Sequence, residues 1–151
     1  MGNPLDLKFE TMEGVETTLR ELGNSETSKW VVVNVASACG FTRQYTQLQE
    51  ISQQDEVTVV GFPCNQFGAQ EPGTHEEICD FTSEKYNVDF PLMAKLEVNG
   101  ENQHSLFQIL NQSTGDDGYT GDIRWNFEKF VITSDGEISR YSSKVSPLDI
   151  V

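Results

Sequence analysis

Residues 30–36, WVVVNVA, form a near-continuous β-branched run, the pattern of a strand buried on both faces of a parallel sheet. Residues 57–62, VTVVGF, form a second such run. Between them Tyr45, Leu48 and Ile51 recur at helical spacing, which predicts a helix over about residues 42–54. Strand, helix and strand in that order make a right-handed βαβ unit. Thr74 followed three residues later by Glu77 is a capping box, so a further helix is expected from His75 towards Tyr86. Pro91 closes that segment.

Residues 93–98, MAKLEV, read as a short strand running into an Asn99-Gly100 turn. Leu106, Phe107, Ile109 and Leu110 predict another helix. Residues 127–133 and 137–141 alternate around Ser134-Asp135-Gly136 and predict a hairpin. Residues 7–10 and 16–19 flank Glu13-Gly14 and predict a second hairpin at the N-terminal end. The expected architecture is therefore α/β: a central mixed sheet flanked by helices, preceded by an N-terminal β-hairpin. No repeat or Pro/Gly/Ser linker divides the 151 residues, and a single domain over 1–151 is expected. That length can bury a core without disulfide or metal staples.

Charge narrows the function. Ten Lys and Arg against 24 Asp and Glu leave a net charge of −14, a field that repels nucleic acid and anionic membrane surfaces. No run approaches a membrane-spanning length, and the N-terminal stretch MGNPLDLKFE does not read as a secretory signal. Three cysteines, Cys39, Cys64 and Cys79, are too few and too odd for a disulfide scaffold, so a reducing, cytoplasmic setting with free thiols is expected. His75 and His104 lie far apart, and no Cys-x-x-Cys or His-x-x-x-His pair offers a metal site. Neither metal nor prosthetic cofactor is expected.

Cys39 lies just beyond the first buried strand and just before a helix. Ligands collect at such strand ends, and the helix dipole with its free N–H groups favours an anion, here a thiolate. Arg43, one turn along, adds positive charge. Placement alone leaves the alternative open that Cys39 is a small buried hydrophobe. The string Cys39-Gly40-Phe41-Thr42 resembles the thioredoxin-type Cys-x-x-Cys loop with Thr42 in place of the second cysteine. No disulfide can close within it. A lone activated thiolate remains, suited to attack on a peroxide oxygen.

Residues 34–42 (NVASACGFT), 61–73 (GFPCNQFGAQEPG) and 124–130 (RWNFEKF) resemble the three signature blocks of the glutathione peroxidase family. KLEVNG followed by His104-Ser105-Leu106-Phe107 is similar to a fourth block, and all four keep their order. The resemblance implies a thioredoxin-like fold and reduction of hydrogen peroxide and organic or lipid hydroperoxides, with Cys39 as the peroxidatic cysteine. It also implies Gln70, Trp125 and Asn126 as the other members of a catalytic tetrad. Their amide and indole N–H groups are suited to stabilise a thiolate and the charge that develops as an O–O bond breaks. Taken singly, Trp125 also reads as a core aromatic, and Gln70 and Asn126 as loop or capping residues.

In the cysteine-containing branch of that family a second cysteine resolves the sulfenic acid to a disulfide, which thioredoxin reduces. The usual resolving position falls here on Thr82. Cys79, one helical turn earlier, is the expected substitute, and Cys64 a weaker one. Without a resolver the enzyme uses glutathione or another external thiol, or passes its oxidation to a client protein. The longer insertion of tetrameric members is absent before RWNF, so a monomer is expected. Ser146-Pro147 predicts a helix start with room for one turn.

Overall fold

The computed structural model describes residues 3–151; Met1 and Gly2 of the N-terminal stretch read above lie outside them. A small antiparallel hairpin, β1 (Phe9–Glu10) and β2 (Glu16–Thr17), leads into the short helix α1 (Leu19–Leu22). Leu19 belongs to that helix, not to the hairpin, because Thr18 caps it by accepting from the Glu21 N–H at 3.1 Å. Then follow β3 (Lys29–Val35), α2 (Gln44–Ser52), β4 (Val57–Pro63), α3 (His75–Tyr86), α4 (Ser105–Leu110), β5 (Lys129–Thr133) and β6 (Ile138–Tyr141). A single 3-10 turn, Pro147–Asp149, follows, with Ser146 accepting from the Leu148 N–H as its cap.

The central sheet has the order β4-β3-β5-β6. β3 runs parallel to β4, with Val32 opposite Val60, and antiparallel to β5, with Val32 opposite Phe130. As the middle strand β3 is buried from Trp30 to Val35. Its alternate residues build two cores. Trp30 and Val32 join Phe62, Phe107 and Ile132 on one face, while Val31, Val33 and Val35 join Tyr45, Leu48 and Ile51 of α2 on the other. Each large apolar side chain so buried contributes roughly 1.5–3 kcal/mol.

Residues 93–98 do not form the expected strand. Leu92 and Met93 make isolated bridges to Gly61 and Thr11, and the segment then leaves the sheet. Pro91 can donate nothing to a ladder. Beyond it the backbone finds other partners: the Ala94 N–H bonds Glu10 O at 3.0 Å, Leu96 N–H bonds Pro63 O at 3.1 Å, and Val98 N–H bonds the Gln66 side chain at 2.7 Å. α2 starts at Gln44 rather than Thr42, because the residues after Cys39 are spent on turns.

Candidate active site

Three turns converge at the C-terminal end of β3. The first carries Cys39. Thr42 staples it: its hydroxyl donates to Ala36 O at 2.8 Å and accepts from the Cys39 N–H at 2.9 Å, while its N–H bonds Cys39 O at 3.0 Å. The residue in place of a second cysteine is thus a structural brace. Cys39 is 7% exposed, and its Sγ accepts the Phe41 N–H at 3.3 Å. Arg43 points its guanidinium at Gly40 O.

The second turn, between β4 and α3, carries Gln70. Gly68 and Ala69 both take left-handed backbone conformations, φ 66° and 50°. A Cβ on Gly68 would lie 3.2 Å from the Trp125 ring, so glycine lets this loop press against the indole. The loop is pinned to the first turn by Ala38 N–H to Gln70 O at 3.0 Å and Ser37 N–H to the Glu71 carboxylate at 3.1 Å. Glu71 is buried. Burial pushes its carboxyl up, opposed by its hydrogen bonds to Ser37 and by the nearby Lys95 charge. Lys95 donates to Glu71 O and Gly73 O at 2.7 and 2.8 Å.

The third turn carries Trp125 and Asn126 and ends in Phe127, whose φ of 63° is a strained value for an aromatic residue. Asn34, the single polar residue in the buried β3 run, holds it there. Its Nδ2 donates to Trp125 O at 3.0 Å, its carbonyl accepts the Phe127 N–H at 2.6 Å, and its Oδ1 accepts the Glu128 N–H at 3.1 Å. Asn126 is fully buried and donates to the Gln70 side-chain oxygen at 2.9 Å. Gln70 and Asn126 are therefore brought together directly. Trp125 packs against the core cluster that contains Cys39. Among the described residues, the Phe41 backbone is the sole hydrogen-bond donor to Sγ.

A cleft of about 470 Å³ opens beside these turns, walled by Phe41, Trp125, Ser143, Arg124 and Lys144 among others. A second cleft of about 500 Å³, at the N-terminal hairpin, has none of Cys39, Gln70, Trp125 or Asn126 in its wall.

The other thiols are placed differently. Cys64 is buried in the core on the opposite sheet face from Cys39, and burial pushes its thiol up. Cys79 is exposed on α3 with its Sγ 3.1 Å from Met12 Sδ. Partial burial, then the charges of Glu13 and Asp80, push its thiol up. Thr82, one turn on, is buried and donates to Ile78 O at 3.0 Å; it and Cys79 line one pocket with Met12 and Phe90 and differ in exposure. Cys39 and Cys79 are not bonded to each other. No group of three His, Cys, Asp or Glu among the described residues is placed to hold a metal ion, and no helix among them is long and apolar enough to cross a membrane.

The family model for glutathione peroxidases matches residues 5–111 of the chain. The chain belongs to the glutathione peroxidase family. It is 48% identical over 122 residues to "Glutathione peroxidase-like peroxiredoxin 2" of Saccharomyces cerevisiae, covering 78% of this chain and 75% of that one. It is 41% identical over 150 residues to "Hydroperoxy fatty acid reductase Gpx2" of a Synechocystis species, covering 97% of this chain and 92% of that one. Among solved structures, the apo crystal structure of Trgpx superposes with a TM-score of 0.74 at 33% identity, covering 99% of this chain and 91% of that one. The architecture is thioredoxin-like. As a member of this family the protein is a peroxidase, an oxidoreductase acting on hydroperoxides.

Asn34, Gln44, Glu71 and Lys129 support the site but were not singled out by sequence pattern. A usable signal existed for two of them. Asn34 interrupts an otherwise apolar buried strand, and Lys129 puts a charge at an inward position of β5.

Proposed function

We propose that the protein is a thiol peroxidase in which Cys39 reduces hydrogen peroxide and organic or lipid hydroperoxides, acting as a monomeric single domain in a reducing compartment. The observation that carries this reading is the convergence of three turns at the end of β3, with Cys39 on one and the hydrogen-bonded Gln70 and Asn126 on the other two. The Cys39 thiolate attacks the terminal peroxide oxygen and the O–O bond breaks. The departing alkoxide or hydroxide takes up a proton and leaves as alcohol or water, and the sulfur, oxidised by two electrons, becomes a sulfenic acid. Gln70, Trp125 and Asn126 supply N–H dipoles for the thiolate and for the charge that develops in this step. The cleft walled by Phe41 and Trp125 accommodates the organic part of a bulky hydroperoxide.

Cys79 then attacks the sulfenic sulfur and releases water, leaving a Cys39–Cys79 disulfide that the dithiol of thioredoxin reduces. Since the Cys79 Sγ rests on Met12, this step requires α3 to open. A second reading, with glutathione as the external thiol, is favoured by the raised pKa of Cys79, which lowers its thiolate fraction. Intact mass and peptide mapping after one equivalent of hydrogen peroxide test the scheme. Loss of two hydrogens, mapped to Cys39 and Cys79, is the expected result. One added oxygen on Cys39 with Cys79 free selects the external thiol, and an unmodified Cys39 overturns the proposal.

A further inference from the structure

The cleft at Phe41 and Trp125, whose wall does not include Cys39 itself, is built from separate stretches of chain: Phe41 from the first turn, Trp125 from the third, and Ser142 to Lys144 from the segment after β6. A single buried side chain is bonded to all three stretches. Lys129, the first residue of β5, has no exposed surface. Its Nζ donates to Gln44 Oε1 at 2.8 Å, to Phe127 O at 2.7 Å and to Ser143 O at 3.2 Å. Gln44 opens α2 directly after the Cys39 turn, and its Nε2 donates to the same Ser143 carbonyl at 2.7 Å. Phe127 is the strained residue that ends the Trp125-Asn126 turn.

An ammonium has three donors, and here all three are used. The geometry matches a junction, not a filler. An apolar side chain of similar length would occupy this space without the cost of burying a charge. That cost is real: burial pushes the Lys129 amine down to about 7, against the favourable field of Glu128. What the ammonium adds over an apolar residue is direction, because it ties three carbonyl-type oxygens, one from a wall residue and two from residues next to the other walls, to one point.

We propose that Lys129 is a positioning residue of the peroxidase site, whose ammonium holds the Phe41, Trp125 and Ser143 walls in register and so sets Trp125 and Asn126 against Cys39. The inference rests on Cys39 being the reacting thiol. It concerns no contact with substrate; Lys129 acts through the turns it joins.

The test is stopped-flow oxidation of Cys39 by hydrogen peroxide, with each protein held well below its unfolding transition so that only folded molecules react. Three variants are compared: Lys129→Met, Gln44→Met, and the double Lys129→Met/Gln44→Leu. A displacement of about 1 Å can cost up to about a hundredfold, so Lys129→Met is expected to slow Cys39 oxidation about tenfold or more. Losing the Oε1 acceptor and the Nε2 donor in Gln44→Met is expected to slow it roughly threefold. The double variant leaves Phe127 O and Ser143 O without their side-chain donors, so its thermal stability falls further while the rate stays low. In each folded variant alkylation of Cys39 by iodoacetamide, which breaks no O–O bond, is expected to slow far less than oxidation, a separation that a purely structural lysine would not produce. Peroxide oxidation within about twofold of wild type in the folded variants, or alkylation slowed as much as oxidation, overturns the proposal. If Lys129→Met does not fold, Gln44→Met decides alone by the same criterion. A wild-type protein that is not oxidised at Cys39 would instead bring down the peroxidase assignment, and the clamp with it.

Discussion

The surroundings of Cys39 and Cys79 are built on opposite principles. Around Cys39 the turns are tied on every side: Thr42 braces the cysteine turn, Asn34 holds the Trp125 turn, and Ser37 and Ala38 pin the Gln70 loop. Around Cys79 little is tied. α3 has twelve residues, of which only Ile78 and Thr82 are buried, and the thiol itself rests on Met12 of the N-terminal hairpin turn. A thiol that must meet peroxide with its dipoles already aimed belongs in the first kind of setting. A thiol that must travel to its partner belongs in the second, where opening costs little.

The sharpest way to break this contrast is to remove each sulfur in turn. Cys39→Ser is expected to abolish peroxide consumption entirely, read as residual peroxide over time; consumption persisting in that variant would place the chemistry elsewhere. Cys79→Ala is expected to leave one equivalent of peroxide consumed per protein and to abolish turnover supported by thioredoxin. Undiminished turnover would remove Cys79 from the cycle and leave the external-thiol reading.

The rigid side can be probed through Glu128 and Arg140, which form an ion pair with both side chains essentially unexposed. Arg140 also donates to Asn111 O and Ser113 O at 3.1 Å, locking the segment that precedes the Trp125 turn. Glu128→Gln keeps the shape but leaves the guanidinium charge uncompensated, and breaking such a buried pair costs about 3–5 kcal/mol. Urea unfolding should register a loss of that size, and a change under about 1 kcal/mol would mean that the pair is not what holds this side together.

A smaller effect should follow pH. The amine of Lys129 falls from its ordinary 10.5 to about 7 in the folded chain. Below pH 7 both folded and unfolded chains carry the proton, and folding bears the whole cost of burying it. Between pH 7 and the unfolded value the folded chain has released the proton and the unfolded chain has not. Stability therefore rises with pH through that window, by at most about 1.4 kcal/mol per unit. Subtracting the unfolding free energy of Lys129→Met removes the other titrations, so the difference should move in favour of wild type between pH 7 and 9. A flat difference would place the Lys129 amine outside this range.

How far all this could be read from the chain depends on the range of the interactions involved. The buried run of β3, the capping box of α3 and the hairpin of β5 and β6 are local patterns, and each appears close to its expected limits. Residues 93–98 have a strand's composition, but their partners come from Glu10, Pro63 and Gln66, which no local pattern reveals. The same holds at the site. Cys39, Gln70, Trp125 and Asn126, the candidate residues, sit in short motifs. The groups that fix their geometry pair across long separations, Asn34 with Trp125 and Gln44 with Lys129, and neither pairing leaves a periodic trace. The difference between Cys79 and Thr82 was equally hidden. One helical turn suggests a shared face, and the two line one pocket, but packing buries Thr82 and leaves Cys79 exposed.

The mildest perturbation addresses the Cys79 side directly. Thr74 caps α3 in both directions, its Oγ1 accepting the Glu77 N–H at 3.2 Å and its own N–H donating to the Glu77 carboxylate at 3.0 Å. Removing such a cap by Thr74→Ala costs about 1 kcal/mol. If Cys79 must leave Met12 by opening of α3, that loss lowers the energy of the open form relative to the closed one. Disulfide formation after peroxide addition should then be about fivefold faster, although overall stability falls slightly. Oxidation of Cys39 itself should keep its wild-type rate, because the bonds that pin Gln70 and Glu71 to Ala38 and Ser37 do not involve Thr74. Rapid-quench alkylation separates the two steps. Faster closure with unchanged Cys39 oxidation would support the division between a held thiol and a released one. Slower closure would mean that an intact α3, not an opened one, delivers Cys79.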